Sequence, residues 1–232
     1  MPSFQETPRN VPNKLISNIS EKHCPVIVLL DTSGSMQSCR TALIDGLRTL
    51  RDQLNEDMDA RARVEVEILA FDDDVRKVEP FGPMELFQIP DLSCDGMTCT
   101  HRAIDTALDE IERRKKEYKL QGVPYYRPWL ILMADRQPND ADNGAFGRLV
   151  QAQKDKKVVF YGIAIGNEAD QQSIASMHIN GVVINQNKLQ LTNAFQWLSS
   201  SVISTSISNA DVTVSENPMN FGMSWKQISI NQ

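Results

Sequence analysis

The tightest group of chemistry-bearing side chains in this sequence is Asp31, Ser33 and Ser35, spaced Asp-x-Ser-x-Ser around Gly34. That spacing puts three oxygen donors on one short turn, and Gly34 is expected to permit a backbone conformation that a larger residue would resist. Oxygen donors without histidine or thiolate suit a hard cation such as magnesium, calcium or manganese. The same residue types also cap helices and build turns, so the motif alone leaves both readings open. A second acid, Asp135, follows the apolar run Trp129 to Ala134.

Both acids need elements that deliver them to a common edge. Val26 to Leu30 is unbroken branched aliphatic sequence, the pattern of a strand buried on both faces of a parallel sheet. Trp129 to Ala134 and Val158 to Ile165 repeat that pattern. Leu43, Leu47, Leu50 and Leu54 recur at helical spacing over about 39–56, and a longer helix is expected over about 100–120. Shorter helices are expected at about 145–154, 170–178 and 192–207, with a short strand at 182–184. Arg63 to Asp72 alternates before turning apolar, which suits a strand nearer the sheet edge, and Asp72, Asp73 and Asp74 mark a hairpin turn into Val75 to Val78. Their carboxylates, and the charged run Glu112 to Lys119, are expected to be solvated. The proline- and glycine-broken stretch from Pro80 to Thr98 reads as a long loop, a length that is often functional. The alternation predicts an α/β fold: a doubly wound, mostly parallel sheet flanked by helices in three layers, with one antiparallel edge strand. In such sheets ligands bind beyond the carboxyl ends of strands, where Asp31 and Asp135 emerge. Three segments are expected: an N-terminal arm over 1–23, the α/β domain over 24–208, and a C-terminal extension over 209–232.

Composition narrows the partners. The 24 basic and 30 acidic residues give a formal net charge of -6, with no long basic stripe for a duplex phosphate backbone, so nucleic acid is not an expected partner. Neither a secretory leader nor a membrane-spanning stretch is legible, and a cytoplasmic protein without membrane insertion is expected. Cys24, Cys39, Cys94 and Cys99 form no disulfide-scaffold pattern and are expected to be reduced thiols. Cys94, Cys99 and His101 share one loop, with Cys39 just after the first motif, but their spacing fits no standard zinc module.

The motif, the loop DGMTCT and the strand end LILMAD together resemble the von Willebrand factor A-type domains with a metal-ion-dependent adhesion site (MIDAS). The resemblance runs from about residue 24 to 205. It implies that Ser33, Ser35 and Thr98 supply hydroxyl ligands to a magnesium, manganese or calcium ion, with Asp31 and Asp135 acting mainly through bound water. It further implies a non-enzymatic module in which a protein partner's Asp or Glu completes the metal shell. RKKEYKLQGVPYYRPWLILMAD and EPFGP look like the bacterial TerY-type proteins of tellurium resistance and stress response, which implies protein kinases and phosphatases as partners. Arg136 stands where the family commonly has glycine, and its charge would either repel the cation or clamp a partner carboxylate.

Two other functions compete. A metal-dependent phosphotransferase or phosphohydrolase also places an aspartate at a strand end, but Ser33 stands where such hydrolases carry a second acid. A structural subunit with a vestigial metal site would retain the fold alone. No G-x-S-x-G elbow, P-loop or G-x-G-x-x-G supports a serine hydrolase or nucleotide binding.

Overall fold

The computed structural model describes residues 12–166, 174, 177, 182–185, 191–208 and 216–226. Seven strands form one sheet: β1 (Cys24–Asp31), β2 (Val64–Phe71), β3 (Val75–Glu79), β4 (Trp129–Ala134), β5 (Val159–Ile165), β6 (Val182–Asn185) and β7 (Ser224–Lys226). The order is β3-β2-β1-β4-β5-β6-β7. Strands β2, β1, β4, β5 and β6 run parallel, and β3 and β7 close the two edges antiparallel. Order reverses between β1 and β4, which makes the carboxyl ends of those two strands the topological switch point.

The apolar runs occupy the middle of the sheet because both of their faces are covered. Val26, Val28 and Leu30 of β1 pack in one core with Ile131, Met133 and the helices α1 (Arg40–Glu56) and α5 (Thr192–Ser206). Ile27 and Leu29 pack in a second core with Leu130, Leu132 and the helices α3 (Thr100–Gln121) and α4 (Ala145–Lys154). The leucine stripe of α1 is buried as its spacing predicts. A short helix, α2 (Met58–Arg63), begins at an Asp57 side chain that accepts the Ala60 N–H and leads directly into β2.

β2 lies one strand in from the β3 edge, in keeping with its pattern, and its Glu65 and Glu67 lie buried against α3 and β3, where Arg114 and Lys77 meet their charge. Two expectations change. The charged run of α3 is therefore only partly solvated, since Arg114 is 2% exposed. The sheet also has a second antiparallel edge, because Ser224–Lys226, within the stretch expected to extend beyond the domain, pairs with β6. Most of the helix expected at 170–178, and residues 209–215 and 227–232 of the C-terminal extension, lie outside the described residues. So do the first 11 residues of the arm. From Pro12 the arm lies on the domain, with the Lys14 N–H donating to the Phe81 carbonyl and the Lys14 ammonium paired with Glu79.

Candidate metal-binding site

Asp31 is the last residue of β1 and is fully buried. Its Oδ1 accepts the Ser33 N–H at 2.9 Å, a turn closed by the side chain just after the strand ends. Its Oδ2 is buried with no hydrogen-bond partner among the described residues. Burial pushes the Asp31 carboxyl up to about 6, with the Ser33 bonds pulling against it and the nearby Asp135 charge adding to it. A buried carboxylate oxygen without a donor is costly unless a cation faces it.

The other oxygens are close by. The Ser33 and Ser35 hydroxyls are 3.1 Å apart, and Ser35 Oγ donates to Asp135 Oδ1 at 2.7 Å. Asp135 directly follows β4, so adjacent strands carry both acids to the switch point. The sequence motifs from β1 and β4 are thus joined by side-chain contact. Neighbouring ligands of an octahedral magnesium at about 2.1 Å lie ~3 Å apart, so the hydroxyl spacing and the all-oxygen donor set fit a hard divalent cation.

Thr98, implied by resemblance, is brought to this edge by the 95–99 loop, whose backbone is tied down residue by residue. The Asp95 N–H donates to the Thr32 carbonyl at 2.9 Å, and the Gly96 carbonyl accepts the Gly34 N–H at 3.1 Å. The Met97 N–H donates to Asp73 Oδ1 at 2.9 Å, and the Cys99 N–H to the Asp72 carbonyl at 2.9 Å. Thr98 itself bonds Asn139, on the loop that leaves Asp135. The loop is therefore fastened to the ends of β1, β2 and β4 at once.

The aspartate triplet does this work, contrary to the expectation of simple solvation. Asp72 accepts from Arg76 and from Thr32 Oγ1, the latter at 3.2 Å; although burial raises its pKa, those bonds and the arginine charge hold its carboxyl below the ordinary range. Asp73 braces Met97, and Asp74 pairs with Arg102 at 3.2 Å. Sequence reasoning missed Asp72, Asp73, Arg76, Asn139 and Asp140 as supports of the site. Their signal was composition typical of turns, which says nothing about the loop each side chain reaches.

The conformational role given to Gly34 belongs instead to Gly96. Gly34 has no positive φ, whereas Gly96 sits at φ +73° against the Asp73 carboxylate. The sulfur-bearing side chains do not gather. Cys39 and Cys94 are buried in the core on the α1 face and Cys99 in the core on the α3 face, while His101 Nδ1 lies 3.1 Å from Asp140 Oδ1. Burial raises the pKa of Cys94, and pushes that of Cys99 up to about 11, which keeps both as thiols. Arg136 is exposed and makes no hydrogen bond or ion pair with the described residues.

Residues 26–124 match the family model of the von Willebrand factor type A domain. The chain has the fold of von Willebrand factor type A domains. Solved structures share its fold at low identity. Proximal thread matrix protein 1 from the mussel byssus is 13% identical, with a TM-score of 0.56 over 78% of this chain and 48% of that one. A second structure of that protein, 15% identical with a TM-score of 0.55 over the same shares, has a zinc-occupied MIDAS motif. The ArnB paralog VWA2 from Sulfolobus acidocaldarius is 13% identical, with a TM-score of 0.52 over 79% and 45%. The pilus adhesin SpaC from Lactobacillus rhamnosus GG is 11% identical, with a TM-score of 0.62 over 78% and 30%. This chain thus spans about half or less of each of those proteins. No curated protein matches the sequence significantly. Among the described residues, no helix is long and apolar enough to cross a membrane.

Proposed function

We propose that this A domain is a non-enzymatic interaction module that holds a divalent cation at the switch point and uses it to recruit an acidic residue of a protein partner. The observation that carries the reading is the buried, unpartnered Asp31 Oδ2 beside the Ser33, Ser35 and Asp135 oxygens. Ser33, Ser35 and Thr98 would hold the ion through hydroxyls, with Asp31 and Asp135 supporting it. Magnesium is the expected ion, with manganese or calcium as substitutes; the zinc-occupied motif of the mussel protein supports a divalent ion of some kind. When bound, such an ion supplies positive charge that neutral hydroxyls leave unquenched, and an open position for an outside carboxylate. The chain's own part is to keep its oxygens at fixed spacing and its two carboxylates out of water. The exposed Arg136, beside Asp135, is free to meet the same partner carboxylate.

The likeness of RKKEYKLQGVPYYRPWLILMAD and EPFGP to TerY-type sequences supports a place in a bacterial, cytoplasmic tellurium-resistance and stress system, as a scaffold for a kinase or phosphatase. The deciding experiment is calorimetric titration of chelator-treated protein with magnesium and then manganese, beside Asp31→Ala and Arg136→Gly. Saturable binding that disappears in Asp31→Ala is the expected result. Absence of binding in both the wild type and Arg136→Gly would move the assignment to a structural subunit with a vestigial site.

A further inference from the structure

Thr98 has an unusual allotment of hydrogen bonds. Its N–H donates to Asn139 Oδ1 at 2.8 Å, and its carbonyl accepts the Asn139 N–H at 3.1 Å. One residue of the loop leaving β4 thus occupies both backbone groups of Thr98. The Thr98 hydroxyl makes no hydrogen bond with the described residues, although the residue is 3% exposed. The next residue repeats the connection at helix scale. Cys99, which precedes α3, offers the helix no side-chain cap, yet Asp140 Oδ1 and Oδ2 accept the His101 and Arg102 N–H groups at 3.2 and 2.9 Å. First-turn N–H groups lack partners inside a helix, so α3 takes its cap from another loop. His101 Nδ1, 3.0 Å from the Asp140 carbonyl, adds a third tie.

We propose that Asn139 is the positioning residue for Thr98, and that Asp140 holds the helix start on which that position depends. The inference rests on the metal-binding reading of the site. Asn139 spends its side-chain oxygen and its backbone N–H on the Thr98 backbone, which leaves the hydroxyl as the one polar group of Thr98 without a partner among the described residues. The spacing between Thr98 and Asp135 is then set by the three residues that separate Asp135 from Asn139, not by the long loop that precedes Thr98.

The test is manganese titration of chelator-treated protein at 0.15 M salt, for wild type, Asn139→Ala and Asn139→Asp, with metal-free melting temperatures and Thr98 amide exchange alongside. Asn139→Ala removes the acceptor, and its manganese affinity is expected to fall ~10-fold, the scale for residues that orient metal ligands. Its metal-free melting temperature should stay close to wild type while Thr98 amide exchange accelerates. Asn139→Asp keeps an oxygen acceptor at the same reach and should restore both affinity and protection. Wild-type affinity in Asn139→Ala, or an Asn139→Asp as weak as Asn139→Ala, overturns the positioning role and leaves the metal site standing. A wild type that takes up no manganese overturns the metal reading and this inference together.

Discussion

At Gly96 a single hydrogen atom decides whether the ligand loop can close. An ideal Cβ there would stand 2.5 Å from Asp73 Oδ2, the carboxylate whose other oxygen holds the Met97 N–H. The φ of +73° adds a penalty of roughly 1–2 kcal/mol for any L side chain. Gly34, although it lies inside the motif, would meet only the Gly96 backbone, its carbonyl at 3.6 Å and its nitrogen at 4.0 Å, both ordinary contacts. Gly96→Ala is therefore expected to displace Asp73 and weaken manganese binding, while Gly34→Ala keeps it. Titration of the two variants side by side checks this, and equal losses would show that the motif glycine has a conformational role the backbone does not reveal.

Among the elements, α1 and α5 approach closely because α1 has a glycine where they cross. A Cβ on Gly46 would fall 2.0 Å from Cδ2 of Phe195, a ring of α5 that is fully buried and has nowhere to swing. Alanine would favour the helix by about 1 kcal/mol over glycine, and overpacking of a full core costs ~1–3 kcal/mol. The second effect is expected to win, so Gly46→Ala should lower the urea midpoint without changing metal affinity. An unchanged or raised midpoint would mean that the helices can move apart at little cost. Element α3 shows the same dependence on neighbours from its polar side: its apolar stripe follows from periodicity, but its cap comes from Asp140 and its buried Arg114 from the charge on β2.

Across the whole molecule, the site at one end of the sheet is matched by a buried charge cluster towards the other. Glu65, near the start of β2, accepts the Arg114 Nε–H at 2.7 Å and the Tyr118 hydroxyl at 2.5 Å, with His23 Nδ1 3.4 Å away. Burial pushes the Glu65 carboxyl up, but His23, the Arg114 charge and the Tyr118 hydroxyl together outweigh it and hold its pKa below the ordinary value. A carboxyl depressed in the folded state contributes stability above its unfolded pKa, and that contribution is lost as pH falls through the folded value. The thermal stability of the wild type should therefore fall as pH drops below about 4.3, the ordinary glutamate value. Glu65→Gln should flatten that part of the curve. At neutral pH the same variant leaves the buried Arg114 with only the more exposed Glu117 as an anion, at a cost on the order of 3 kcal/mol. A Glu65→Gln protein as stable as wild type at pH 7, with the same acid limb, would remove the cluster from the stability of the fold.

The sequence by itself determined the central strands, most helices and the chemical character of the site. Val26 to Leu30 and Trp129 to Ala134 can only be buried on both faces, and a run of that kind ending in an acid places the acid at a sheet edge. Those are local signals of period and composition, and they placed Asp31, Ser33, Ser35 and Asp135 without knowledge of distant contacts. Tertiary structure alone decided which charges are buried, because Glu65 and Arg114 look like solvated residues until β2 and α3 face each other. It also decided how the 95–99 loop is held. Asp72, Asp73 and Asn139 are turn residues in the sequence, and their carboxylate and amide groups act across chain separations of tens of residues that no local pattern encodes. The same holds for Ser224–Lys226, a short and weakly patterned segment that becomes a strand because β6 presents an open edge for it to pair with.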